Sequence, residues 1–556
     1  MKKLVLTAFA ALFCTFSFAC TNLIVGKKAS ADGSVMCSYN CDEFGGLEEL
    51  FHYPAGRHAA GEMLRFGTNP DGTPRLVPQV PYTYGVVGLM NENQVTVVET
   101  TWDGRPELRN PDGWFHYFHL MVLSLQRSTT AREAIAWIDR LVQEYGYNAT
   151  GESMAICDKD EAWILEIIGK GPGRKGAVWV AMRVPDDCIC AYANSSRIRQ
   201  FPQARKVDKK LGFCVVEGEC MYSPDVISFT REMGYYDGPD ADFSFRDAYG
   251  PLDFGDIRYC EARVWGFFRR HYDKDFMDSY LPYLNGDMRE KDHLPLWIKP
   301  DKPVSVRDLM NDMRDHYEGS ALDMTADVSA GPWASPYRNS LTNFKAPDGT
   351  DMFRERPIGC QQTSMTHVCQ MRDWLPDAVG GITWFNLDDA NMVAYVPAYC
   401  GIDRIPTPFL RETTSLTEFN PESAFWMNNF VANMVYPRYS AMIGDLRDAQ
   451  KELEDYYEEN QKEVEKRVEG MTPSEITTFL TRKTEAYTQM MMKRWEKLAY
   501  LLIVKHNDQI MQPSEDGVVV AGKRTSPAYS PVFIDAVKDL TGTRYIKPET
   551  VIIPER

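Results

Sequence analysis

Four pairs of near-continuous apolar runs lie within residues 20–194, and they constrain this chain more than any other feature. "TNLIVGKK" and "SVMCSY" flank "ASADG", an Asp-Gly turn. "YGVVGLM" and "VTVVETTW" flank "NENQ", "SMAIC" and "AWILEIIG" flank "DKDE", and "GAVWVAMRV" and "CICAYAN" flank "PDD". A strand with one wet face alternates apolar and polar residues, whereas a run that is apolar at nearly every position needs cover on both faces. Read as hairpins, the four pairs predict antiparallel sheets enclosed by other layers. Two helical stretches lie among them. The first is "GWFHYFHLMVLSLQRS". The second is "TAREAIAWIDRLVQEYG", in which Thr130 and Glu133 read as a capping box and Gly146 as the stop. Hairpins interrupted by paired helices, without strict β-α-β alternation, predict class α+β, with helices packed on a two-sheet sandwich.

The remainder divides by composition. Residues 200–430 are rich in Pro, Asp and aromatics in long irregular segments, which cover a core or carry a binding surface. From Ser440 the pattern turns helical. "LRDAQKELEDYYEENQKEVEKRVEG" is a polar amphipathic helix, and Thr472-Pro473-Ser474-Glu475 restarts a second that ends near Asn507. The expected organisation is a leader (1–19), a main domain (20–430) and a helical extension (431–556) packed on it. The charged faces of the helical hairpin read most simply as solvated.

The leader opens with Lys2 and Lys3 and runs apolar from Leu4 to Ala19, the pattern of a secretory signal peptide. It is shorter than the ~20 residues of a membrane helix, and no later run is as long, so no membrane span is expected. Ser17 and Ala19 fit a cut that makes Cys20 the new N-terminus and sends the protein to the periplasm or the exterior. A lipoprotein signal also ends just before cysteine, but usually has Leu where this chain has Ser17. Cys20 is therefore a nucleophile, half of a disulfide or, as the lesser reading, a lipid anchor. Export also permits disulfides elsewhere. Cys214 and Cys220 around "VVEGE" are the first candidate pair, Cys188 and Cys190 share one side of a strand, and Cys37 and Cys41 read as core residues or a disulfide.

Several functions are disfavoured. A formal charge of −17, or −19 once Lys2 and Lys3 are lost, argues against nucleic acid. Nine histidines are scattered and no CxxC pair occurs, so neither metal nor cofactor is expected, and His116 and His119 read as core or boundary residues. "KGPGRKG" lacks P-loop spacing. "GESMA" around Ser153 precedes a strand, not the helix a nucleophile elbow requires.

A cysteine at a free N-terminus carries its own base. Its thiol, with a pKa of ~8.5, is mostly protonated at neutral pH, while an α-amine of ~7.7–8.0 accepts a proton there. N-terminal threonine nucleophiles work in this way. "CTNLIVGKKASADGS" followed by "NCDEFGG" resembles the start of the C69 dipeptidases, cysteine members of the N-terminal nucleophile hydrolases. The likeness continues in "GLMNENQVTVVETT", "TAREAIAWIDRLVQEYGY", "GESMAICDKDEAWILEIIGKGPG", "YSPDVISF", "GPLDFGDIRYCEARVW" and "GGITWFNLDDANMVAYVPAYCG". It covers nearly the whole mature chain. The resemblance implies a four-layer αββα sandwich that hydrolyses dipeptides through a cysteinyl acyl-enzyme. It makes Cys20 the nucleophile, Asp42 the acid beside its amine, Asn194 the substrate and oxyanion ligand, and Arg258 the arginine that completes the polar site. Thr101 falls where some relatives have a second oxyanion asparagine. Many relatives read Arg-Asn-Glu-Asp where this chain has Tyr39-Asn40-Cys41-Asp42, so Arg258 or Arg263 is left to supply the positive charge, with Tyr39 at the substrate side.

On residue chemistry alone, Asp42 also fits a turn, Asn194 a turn cap or a glycosylation triplet, and Arg258 an ion pair with Asp256 or Glu261. Competing functions are hydrolysis of non-peptide amides, as in the related bile salt hydrolases and penicillin V acylases, and a lipid-anchored binding protein with Cys20 modified. Self-association into a homo-oligomer stays open.

Overall fold

Six strands frame the interior: β1 (Asn22–Val25), β2 (Val35–Asp42), β3 (Thr96–Trp102), β4 (Gly151–Cys157), β5 (Ile189–Tyr192) and β6 (Thr363–Met371). They come from a computed structural model that describes residues 20–69, 71–287, 293–338, 344–353 and 355–547. The leader expected over 1–19 lies outside the described residues. One sheet has seven strands in the order Trp297–Ile298, β5, β1, β2, β6, Ile382–Leu387, Val396–Tyr399, antiparallel throughout. The other has nine: Cys214–Val216, Cys220–Tyr222, Ala177–Val184, Ala162–Gly169, β4, β3, Met90–Asn91, Val86–Val87, His52–Tyr53, also antiparallel. The two meet where β1 and β2 lie against β3, and β2 against β4. Every residue of β1, β2, β4 and β6 is buried, so these strands are covered on both faces. Each fully buried Val, Leu or Ile contributes about 1.5–3 kcal/mol.

Helices flank these sheets in an α+β arrangement. Helix α1 (Tyr117–Leu125) packs on β3, and α2 (Ala131–Tyr145) on β4 and Ala177–Val184. Helix α3 (Ala262–His271) packs on β5, and α4 (Ala424–Val435) on Ile382–Leu387. The C-terminal helices α5 (Tyr439–Val468) and α6 (Pro473–Lys505) cover Val396–Tyr399 and pack on each other. Thr472 starts α6 with the reciprocal cap its sequence predicts: Thr472 Oγ1 accepts from the Glu475 amide while the Glu475 carboxylate accepts from the Thr472 amide at 2.8 Å. The buried ion pair of Arg314 with Glu454, together with Arg372 with Glu465, ties α5 to the main body.

Four local expectations are corrected. "GAVWVAMRV" and "CICAYAN" do not form a hairpin: Ala177–Val184 belongs to the nine-stranded sheet and β5 to the seven-stranded one. The connection between them is captured by the β1–β2 turn, where the Asp186 carbonyl accepts from the Lys28 and Ala29 amides and the Cys188 carbonyl from that of Gly26. "YGVVGLM" breaks into two short strands at Gly88, whose φ of +61° and proximity to Leu50 suit only glycine. Thr130 caps α2 alone, because the Glu133 carboxylate turns to the Thr129 amide. Cys214 and Cys220 are both free thiols. Cys214 stands opposite Tyr222 and Cys220 opposite Val216, a two-residue offset instead of the directly facing pair a disulfide wants.

Candidate active site around Cys20

Cys20 lies two residues before β1, and the intervening Thr21 exchanges backbone hydrogen bonds with Asn40 of β2, which fixes the cysteine at the start of the sheet. The residue is 3% exposed. Its thiol donates weakly toward the Tyr39 hydroxyl at 3.6 Å and the Glu99 carboxylate at 3.9 Å, and it lies within hydrogen-bond reach of Cys41. Burial pushes the Cys20 thiol well above its ordinary pKa, and Cys41, Glu99 and Asp42 add to that. The sulfur is therefore a thiol at rest and needs a base before it can attack.

Arg263, on α3, gathers the surrounding polar groups. Its Nη1 donates to the Cys20 carbonyl at 2.7 Å and to Thr21 Oγ1 at 2.6 Å. Its Nη2 donates to Asn194 Oδ1 at 2.9 Å, and Nε to the Tyr259 carbonyl at 2.6 Å. The guanidinium is fully buried, and its charge is opposed by burial and by neighbouring Arg356. Asn194 in turn donates to the Thr101 carbonyl at 2.7 Å. One hydrogen-bond chain thus runs from Cys20 through Arg263 and Asn194 to Thr101. The loop after Asn194 is anchored from below: Glu166 accepts from the Ser196 hydroxyl and the Arg197 amide, both at 2.5 Å.

Asp42 ends β2, wholly buried. Thr363 Oγ1 and Arg356 Nη2 each donate to its carboxylate at 2.6 Å. Burial raises its pKa and Arg356 opposes the rise. Its charge acts on the Cys20 thiol without a direct bond.

Arg258 is directed elsewhere. It donates to Asn285 at 3.2 Å, pairs with Glu355 and lies over the Phe353 ring at 5.3 Å. Neither Asp256 nor Glu261 is its ion partner; Glu261 instead pairs with Arg197 at 3.3 Å. Asp256–Glu261 is a π-helical turn leading into α3, the kind of helix irregularity that recurs at functional sites. Beyond it, Arg263 faces Cys20 while Arg258 faces Phe353 and Glu355.

The structure also brings in residues that sequence reasoning passed over. Glu99 accepts a 2.5 Å hydrogen bond from Tyr39. Thr101 and Glu152 are directly paired across β3 and β4, and Glu99, two residues from Thr101, reaches Glu152 on the same side. Thr101 Oγ1 and the Tyr147 hydroxyl donate to Glu152 at 3.2 and 3.3 Å. Glu99 Oε2 and Glu152 Oε1 have no other donor. Two buried carboxyls in contact share a proton. Burial raises both, and the Glu99 charge and hydrogen bond drive Glu152 further up, so the proton they share favours Glu152. A glutamate inside an apolar strand was the available signal, since Glu is almost never fully buried without a partner.

Tyr39, Cys41 and Glu99 also line a cavity of about 280 Å³, bounded further by Glu43, Glu48, Phe51, His116 and Met121. His116 caps α1 by accepting from the Phe118 amide and His119 answers it, so this pair is a helix cap. Ser153 is buried within β4 beside Glu166. Among the described residues no cluster of three or more His, Cys, Asp or Glu is arranged to hold a metal ion, and no helix is long and apolar enough to cross a membrane.

Comparison with known proteins gives a consistent result. The sequence model of peptidase family C69 matches residues 19–452. Dipeptidase A of Lactobacillus helveticus is 26% identical over 489 residues, covering 82% of this chain and 90% of its own. A probable dipeptidase of Salmonella dublin is 24% identical over 77% of this chain and 92% of its own length. Probable dipeptidase B of Lactococcus lactis is 24% identical over 87% and 95%.

Proposed function

The chain belongs to peptidase family C69, and from that premise we propose that it is an exported dipeptidase of N-terminal nucleophile type, built on the αββα layering of that class. The observation that carries this reading is the Arg263 clamp, which ties the backbone of Cys20 to the side chain of Asn194. The names of the relatives in Lactobacillus helveticus and Salmonella dublin support the choice of dipeptides as substrates.

Removal of the leader after Ala19 gives Cys20 an α-amine on the same residue as its thiol. That amine takes the thiol proton, and the thiolate attacks the scissile carbonyl. Asn194 and a backbone N–H receive the oxyanion; loss of one such donor costs about 100- to 1,000-fold in rate. The ammonium returns its proton to the departing amino acid, and water releases the acyl group. The buried Asp42 carboxylate, fixed by Arg356 and Thr363, supplies negative charge that favours the ammonium form of the amine.

The test is intact-mass and N-terminal analysis of protein from the exported fraction, followed by dipeptide hydrolysis. The expected result is a free, unmodified Cys20, with activity abolished in Cys20→Ala and in a form that keeps one extra residue before Cys20. A lipid adduct on Cys20, or normal turnover by the extended form, refutes the mechanism.

A further inference from the structure

The cavity beside Cys20 carries an unusual charge. Glu43, Glu48 and Glu99 all line it, and among the described residues none of the three forms an ion pair. Arg411 offsets Glu48 only at a distance. The remaining wall includes Phe51 and Met121, so the space suits an apolar stem with a positive group and resists a negative one.

Geometry singles out Glu99 within this cavity. In a dipeptide the α-ammonium nitrogen is two bonds from the scissile carbonyl carbon, about 2.5 Å away. That carbon approaches the nucleophile at about 3–3.5 Å. A carboxylate gripping the ammonium through a hydrogen bond therefore stands no more than about 9 Å from the sulfur. Glu99 Oε1, at 3.9 Å, meets this condition and is 2% exposed. Its Oε2 has no donor except the proton held with Glu152. Tyr39 aligns it by donating to Oε1. An arginine at 39 would offset a negative charge here; a tyrosine orients the carboxyl without adding a charge of its own.

We propose that Glu99 receives the α-ammonium of the substrate's N-terminal residue, whose side chain enters the acidic cavity. The enzyme then accepts free dipeptides with an apolar or basic first residue and rejects N-acylated dipeptides and those that begin with Asp or Glu. This assignment rests on the dipeptidase reading of Cys20.

The experiment compares Leu-Ala, Lys-Ala, Glu-Ala and N-acetyl-Leu-Ala as substrates of the wild type, Glu99→Gln, Cys20→Ala and the Glu43→Gln/Glu48→Gln double variant. A charge-assisted hydrogen bond predicts that the wild type prefers Leu-Ala to its acetylated form by about 10- to 100-fold in kcat/KM. Glu99→Gln is expected to lose most of that preference through KM while Cys20 still reacts with iodoacetamide. The double variant is expected to lose the preference for Lys-Ala over Glu-Ala, which tests the cavity even where Glu99→Gln does not fold. Cys20-dependent hydrolysis with an unchanged Leu-Ala to acetyl-Leu-Ala ratio in folded Glu99→Gln overturns the Glu99 assignment alone. An unchanged Lys-Ala to Glu-Ala ratio in the double variant overturns the acidic selection. Absence of hydrolysis in the wild type, or its persistence in Cys20→Ala, overturns the dipeptidase reading and this assignment with it.

Discussion

Arg263→Lys separates the two arginines that sequence reasoning could not rank. Arg263 donates to five acceptors: the carbonyls of Cys20 and Tyr259, Thr21 Oγ1, Asn194 Oδ1 and, more weakly, Cys260 Sγ. A lysine keeps the charge but has one compact ammonium, which cannot span the separate positions served by a planar guanidinium. Loss of even one charge-assisted bond in this buried setting costs about 1.5–3 kcal/mol of stability. The catalytic loss is larger in consequence, because Asn194 loses the donor that orients its amide. Displacement of the proposed oxyanion ligand predicts a fall in kcat of about 100- to 1,000-fold. Arg258→Lys is the matched control. Its guanidinium serves Glu355 and Asn285, so kcat is expected to fall by less than about tenfold. The assay measures kcat and KM on one dipeptide, with urea unfolding of each variant to separate rate from stability. A severe kcat loss in Arg258→Lys together with near-wild-type kcat in Arg263→Lys would refute the reasoning.

Three other outcomes are expected. The Glu48 carboxyl is pushed up to about 7 by burial and by Glu43 and Glu49, so its ionisation opposes folding. Glu48→Gln should stabilise the protein at pH 8 by up to about 3 kcal/mol, with the gain fading as pH falls from 7 toward 4.5; equal effects at pH 8 and pH 5 in denaturant titrations would count against this. Glu152 holds its proton, so Glu152→Gln should keep stability within about 1 kcal/mol at pH 7, whereas Glu152→Ala loses about 1–3 kcal/mol by orphaning the Thr101 and Tyr147 hydroxyls; calorimetry on both variants decides it. Thr472→Ala removes the α6 cap and should cost about 1 kcal/mol in urea unfolding.

What could be read from the sequence was local. The β1–β2 and β4 hairpins, helix α2 with its stop at Gly146, and the capped start of α6 follow from patterns within about twenty residues, and each forms. The strand after Val184 was misread because its partner is set by a contact with Gly26, some 160 residues earlier in the chain. Cys20 stood out through its position. Arg263 and Arg258 did not separate, since five residues across a π-helical turn decide which one faces inward. Glu99 and Glu152 were each visible as a charge within an apolar run, yet their pairing depends on the register between β3 and β4, which no single strand encodes. Arg356 and Thr363 reach Asp42 from more than 300 residues away and left no local trace at all.

The burial of Cys20 bears on the proposed order of leader removal and folding. β1 is hydrogen-bonded to β5 on one side and β2 on the other, with the clamp closing over the Cys20 carbonyl. Under the mechanism proposed above, cleavage before Cys20 needs the backbone that follows it extended and unpaired, whereas Thr21 is bonded to Asn40 in the folded sheet. That mechanism therefore predicts that leader removal precedes closure of the sheet, and that a chain folded with its leader attached is inactive toward dipeptides.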